Sequence, residues 1–177
     1  MNNILLEGDP GVGKTTLILK ISELLSNHKI GGFFTREIRD SGRRVGFRIE
    51  TFSGESGILS HIKFTDGPQV GRYHVDVPQF EQIAVRELET ALVEAAIILI
   101  DEIGKMELFS ERFKRVLPRC FDSNQVIIAS VMSRPFPYVD RLKARPDVNL
   151  IKVSMKNRND LGANLAEEIS NLNNLEN

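Results

Sequence analysis

Three kinds of apolar spacing run along the chain, and each predicts a different element. Continuous apolar runs mark strands buried on both faces; they occupy positions 4–6, 96–100 and 126–129. Spacings of three and four mark amphipathic helices. They join Leu17, Ile18, Ile21, Leu24 and Leu25, and then Phe80, Ile83, Ala84, Leu88, Ala91 and Leu92. Phe113, Val116 and Leu117 repeat the pattern, as do Leu161, Leu165, Ile169 and Leu172. Strict alternation marks a half-buried strand, and Arg43-Arg44-Val45-Gly46-Phe47-Arg48-Ile49-Glu50 follows it.

The order of these segments predicts the architecture. The first helix is expected to end near 27–29, with Gly31-Gly32 as a stop and restart. A strand over 32–39, the turn Asp40-Ser41-Gly42 and the alternating strand over 43–50 form a hairpin. Two short strands follow, at 58–64 and 70–77. Residues 32–77 thus read as an antiparallel β-rich insert against a parallel core. Pro78 suits the first turn of a helix. The segment 134–146 carries a short Pro-punctuated helix, 148–153 the last strand, and Asn157 or Asn159 caps the closing helix. Strands and helices alternating at both ends imply an α/β, doubly wound mixed sheet, mostly parallel in its core. The domain spans 1–172, and 173–177 is an Asn-rich tail expected to fray.

Composition narrows this picture. The chain has 177 residues, room for one such domain. With 23 basic and 24 acidic side chains the net charge is −1, so no general attraction to nucleic acid or anionic membrane is expected. The single Cys120 excludes an internal disulfide and a multi-cysteine zinc site, and reads as a buried thiol after a helix. His28, His61 and His74 are scattered without metal-ligand spacing. No signal peptide or membrane span is seen, and a cytoplasmic protein is expected.

The chemistry begins where the first strand meets the first helix. Gly8-Asp9-Pro10-Gly11-Val12-Gly13-Lys14-Thr15-Thr16 contains the P-loop spacing. Glycines let the backbone bend and bring its N–H groups to a polyphosphate. Lys14 can reach the β- and γ-phosphates, Thr15 offers a hydroxyl to Mg²⁺, and the helix start adds its dipole. Asp101 and Glu102 end the apolar run 96–100. A carboxylate at the C-terminal end of a central strand sits where such sheets bind ligands. Asp101 is therefore expected to hold Mg²⁺ with Thr15, and Glu102 to orient a water for attack on the γ-phosphate. Ile103-Gly104-Lys105-Met106-Glu107 continues the segment. There Gly104 permits an unusual turn, while Lys105 and Glu107 either line the site or form a solvated loop pair.

Other candidates are looser. Ser130 ends the 126–129 strand and is read as a γ-phosphate sensor or as a simple strand end. Developing negative charge calls for an arginine, and Arg36 and Arg39 stand out because their strand end is unusually polar. Asn157 and Arg158 follow the last strand, where a base could stack or bond, with helix capping as the competing role.

With these stretches on the page, the chain resembles the small P-loop nucleoside-triphosphatase family of thermostable and cancer-related NTPases. The resemblance rests on the P-loop and on Gly32-Phe33-Phe34-Thr35-Arg36-Glu37-Ile38-Arg39, Gly42-Arg43-Arg44-Val45-Gly46-Phe47, Val70-Gly71-Arg72-Tyr73-His74-Val75 and Ile100-Asp101-Glu102-Ile103-Gly104-Lys105-Met106-Glu107. It implies a RecA-like fold and slow Mg²⁺-dependent hydrolysis of ATP, GTP and other triphosphates. It also implies nucleotide contacts over Gly8 to Thr15 and Ile100 to Glu107. Two other functions stay open: a nucleotide or nucleoside kinase, for which the basic segment 134–145 is the lid candidate, and a nucleotide-gated switch.

Overall fold

The computed structural model describes residues 3–173. Nine strands form one mixed sheet: β1 (Asn3–Gly8), β2 (Ile30–Asp40), β3 (Arg43–Thr51), β4 (Ser56–His61), β5 (Gln69–Val70), β6 (Tyr73–Val75), β7 (Ile97–Ile103), β8 (Val126–Met132) and β9 (Val148–Lys152). Their order is β5-β6-β4-β3-β2-β7-β8-β1-β9. The run from β2 to β9 is parallel, and β3, β4, β6 and β5 extend it as antiparallel strands. The helices are α1 (Lys14–Leu24), α2 (Val77–Phe80), α3 (Arg86–Glu94), α4 (Glu111–Phe121), α5 (Pro137–Lys143) and α6 (Arg158–Asn173).

Alternation along the buried strands sorts their side chains into two layers. Ile4 and Leu6 of β1, and Ile97 and Leu99 of β7, join α1 and α6 through Leu17, Ile18, Ile21, Leu165 and Ile169. Leu5, Ile98 and Ile100 face the other way, against α2 to α5. There Phe33, Phe80 and Phe113 pack edge to face at 5.2–5.9 Å. With helices on both faces the sheet is doubly wound, as the sequence pattern implied. Among the described residues no helix is long and apolar enough to cross a membrane.

Several boundaries differ from expectation, each for a physical reason. Gly31 and Gly32 do not restart the chain but lie inside β2. A Cβ on Gly31 would stand 2.4 Å from Ala91 Cβ, and one on Gly32, at φ 107°, would stand 2.0 Å from the Leu99 oxygen. These glycines let α3 and β7 close on the strand. The single strand expected over 70–77 is two, β5 and β6, folded about Gly71. The helix opened by Pro78 runs on through a π turn, Glu81–Val85, into α3. Cys120 lies inside α4 rather than after it, and burial pushes its thiol up to about 12. Helix α6 reaches Asn173, one residue into the expected tail. The Leu172 side chain and residues 174–177 lie outside the described residues.

The close approach at Gly32 is testable. Gly32→Ala must separate β2 from β7 or strain the backbone, so it should cost about 3 kcal/mol or more, read as a lower denaturant midpoint. A loss under about 1 kcal/mol would mean that β2 can retreat from β7 without cost.

Candidate active site

The carboxyl ends of β1, β7 and β8 converge on one point. β8 lies between β1 and β7, so the loop after β1 and the acid on β7 face each other across it. From Asp9 to Gly13 the chain turns sharply, with Gly11 at φ 81° and Gly13 at φ 104°. Gly13 then forms the N-cap of α1, pointing the first helical N–H groups into the cleft. Ser133, just past β8, donates to Asp9 Oδ1 at 2.6 Å.

Asp101 is the centre of the arrangement. Its side chain is buried, and Thr15 Oγ1 donates to its Oδ2 at 2.6 Å. Ser130 Oγ, itself buried, donates to Oδ1. Burial raises the Asp101 carboxyl above its usual range, while the Ser130 and Thr15 hydroxyls pull it down. Ser130 is thus placed to hold Asp101. Lys14 is also buried; its Nζ donates to the Gly8 carbonyl at 2.7 Å and lies 3.3 Å from Glu102 Oε2.

Behind Glu102 the chain folds inward at Gly104. A Cβ there would stand 2.8 Å from Glu107 Oε2 and 3.0 Å from Glu102 Oε1, so the two carboxyl groups flank one glycine. Lys105 is exposed, and Met106 takes a hydrogen bond from Ser60 through its sulfur at 3.4 Å. Glu107 is buried. Burial first, and then the neighbouring Glu102 charge, raise its carboxyl to about 8. The shift favours the protonated form, an effect no sequence pattern announced.

The looser candidates separate. Phe34 pairs with Asp101 across β2 and β7 and packs on Phe52, which belongs to the α1–α6 side. The Arg36 guanidinium lies 5.1 Å over the Phe34 ring, so Arg36 is on the same face as Asp101. Arg39 instead donates to Glu37 and to the Gly42 carbonyl, in a network with Arg44 and Tyr73. Asn157 stands before α6 but spends its side chain on a turn: Oδ1 accepts from Ser154 N at 2.8 Å, and Nδ2 donates to the Lys152 carbonyl. Arg158 donates to the Val12 carbonyl at 3.1 Å and lies along Gly13. In the basic segment 134–145, Lys143 pairs with Glu7 at 2.6 Å, and Arg145 bonds Asp122 and Asp147. Arg141 covers the Tyr138 ring.

A glycine-bearing turn between a central strand and a helix, facing a buried carboxylate across one intervening strand, is consistent with a P-loop NTPase fold. Residues 3–169 match the profile of a family described as NTPase. A nucleoside-triphosphatase THEP1 of Thermotoga petrophila is 48% identical over 158 residues, covering 89% of this chain and 87% of that protein. The cancer-related nucleoside-triphosphatase of Homo sapiens is 39% identical, covering 90% and 92%. The crystal structure of THEP1 from Aquifex aeolicus superposes with a TM-score of 0.85 at 39% identity, over 92% of this chain and 96% of that one. The chain therefore belongs to this NTPase family and is an enzyme.

The buried Glu107 has a consequence for stability. An unfolded glutamate titrates near 4.5, and this one near 8, so between those pH values the folded chain keeps a proton that the unfolded chain has lost. The stability tied to that proton is full below the lower value and is lost as pH rises to the upper one. Glu107→Gln cannot ionise. Its Tm should match wild type near pH 4.5 and exceed it by about 5 °C or more near pH 8. Parallel Tm profiles would show that Glu107 is ionised in the fold.

Proposed function

We propose that the chain is a Mg²⁺-dependent nucleoside-triphosphate phosphohydrolase that cleaves the γ-phosphate of ATP, GTP and other triphosphates to give diphosphate and phosphate. The observation that carries this reading is the meeting of Thr15, Asp101, Lys14 and Glu102 at the carboxyl ends of the central strands.

The donor set suits magnesium. A serine or threonine hydroxyl and one carboxylate are hard oxygen ligands, and Mg²⁺ completes its shell with phosphate oxygens and water. Asp101 also has the buried charge that such a cation would balance. When bound, the cation neutralises charge that builds on the β- and γ-oxygens. Thr15 and Asp101 would hold it.

The remaining steps belong to the chain's own groups. Backbone N–H groups of the turn over Gly8 to Thr16 hold the phosphates. An incoming triphosphate competes for the Lys14 ammonium with the Gly8 carbonyl and Glu102, both of which it now contacts. Released from Lys14, Glu102 takes a proton from a water as its oxygen attacks the γ-phosphorus in line. The bond to the β–γ bridging oxygen breaks, and diphosphate leaves with the electron pair. Arg36, which shares the face of Asp101, is the arginine assigned to the charge that develops. Arg158, lying along Gly13, is assigned to the nucleoside end. The ion pairs of Lys143 and Arg145 tie the 134–145 segment down, which favours water as acceptor over a kinase lid.

Phosphate release from ATP, GTP, CTP and UTP with Mg²⁺, in the absence of any acceptor, tests the reading. Steady release from several of them is expected. Lys14→Ala should abolish it. Glu102→Gln should bind triphosphate normally and lower kcat by about a hundredfold or more. A kcat within about twofold of wild type would remove Glu102 from the role of base.

A further inference from the structure

Arg36 and Arg48 stand directly opposite each other in the β2–β3 ladder. Opposed residues of an antiparallel pair point to the same face. Arg36 is on the face of Asp101, stacked on Phe34, so Arg48 is on that face too. The pair lies two residues beyond Phe34, or about 7 Å past the level of Asp101 at 3.3 Å per residue. That is the direction from which ligands enter an open α/β sheet.

Like charges set directly opposite one another destabilise a sheet, and only part of this cost is offset here. Glu50 lies 3.5 Å from Arg36 Nε, which is 55% exposed. Arg48 is exposed and has no ion-pair partner among the described residues. The register against β4 shifts opposite Phe47 and Arg48, with Leu59 of β4 as the extra residue. Two guanidinium forks rooted about 5 Å apart can converge on one tetrahedral oxyanion. Lys14, a point charge deeper in the cleft, does not duplicate that geometry.

We propose that Arg36 and Arg48 form an oxyanion clamp at the open end of the phosphate site, taking one phosphate-class dianion. Its location relative to the triphosphate rests on the phosphohydrolase reading above. The dianion has two possible sources: the γ-phosphoryl group of a bound triphosphate, or inorganic phosphate.

Titration calorimetry with Mg²⁺ on wild type, Arg48→Gln, Arg36→Gln and the double variant distinguishes the sources. The probes are a non-hydrolysable ATP analogue, ADP, and inorganic phosphate added with ADP. If the clamp grips the γ-phosphoryl group, Arg48→Gln should weaken the analogue about tenfold and leave ADP unchanged. If it holds free phosphate, analogue and ADP should bind as before and phosphate binding should weaken about tenfold. The double variant should lose less than the product of the two single losses, because both arms grip one ligand. Without ligand, Arg48→Gln should raise Tm at low ionic strength, with a smaller gain in about 0.5 M salt. A side chain that merely supported the strand would lower Tm. Wild-type binding of all three probes by Arg48→Gln, within about twofold, would overturn the clamp. Because binding rather than turnover is read, a chain that held triphosphate without cleaving it would contradict the hydrolase reading and not this one.

Discussion

The Asp101 carboxylate, 2% exposed, is the charge on which three separate segments close. Taking a carboxylate out of water is expensive unless donors replace the lost hydration. Thr15 brings one hydroxyl from the start of α1, and Ser130 brings another from the end of β8. The first of these holds the turn after β1 in register with the acid strand. The second holds β8 in register with β7. The order β1, β8, β7 brings both donors to the acid, Ser130 from the strand beside β7 and Thr15 from across it.

Around that charge the site is a graded set of acids. Asp101 is braced by two hydroxyls, Glu102 meets the Lys14 ammonium, and Glu107 is buried behind Gly104 and carries its proton. Each environment assigns a different task to the same functional group. Burial of Glu107 beside Glu102 favours its neutral form and so limits the negative charge gathered around Asp101. Gly104 makes this possible, since any larger residue would push into both glutamates.

The sheet extension beyond β2 adds what the parallel core lacks. β3 carries Arg48 to a place level with Arg36, and the Arg44–Tyr73–Glu37 network braces the opposite face of the hairpin. On its far face Glu37 takes up Arg39, leaving Arg36 as the one of the two candidate arginines on the face of Asp101.

Much of the molecule was legible in its residues alone. The P-loop, its strand and helix, and the acid pair at the end of β7 each lie within a dozen consecutive positions, so local backbone preference and periodicity suffice to place them. The doubly wound architecture followed from the alternation of apolar runs with helical faces. What the residues left open depends on contacts between distant segments. Gly31-Gly32 looks like a break but is a close approach, because Ala91 and Leu99 come from elsewhere in the chain. Glu107 looks like a loop charge but is buried, because the chain turns inward at Gly104. Arg48 shows the difference most plainly. Counting back from the turn at 40–42 without interruption sets Phe47 opposite Arg36. A bulge between Ile38 and Arg39 moves the register by one residue and sets Arg48 there instead. A strand has a period of two, so one inserted residue decides which side chain shares the face of Asp101.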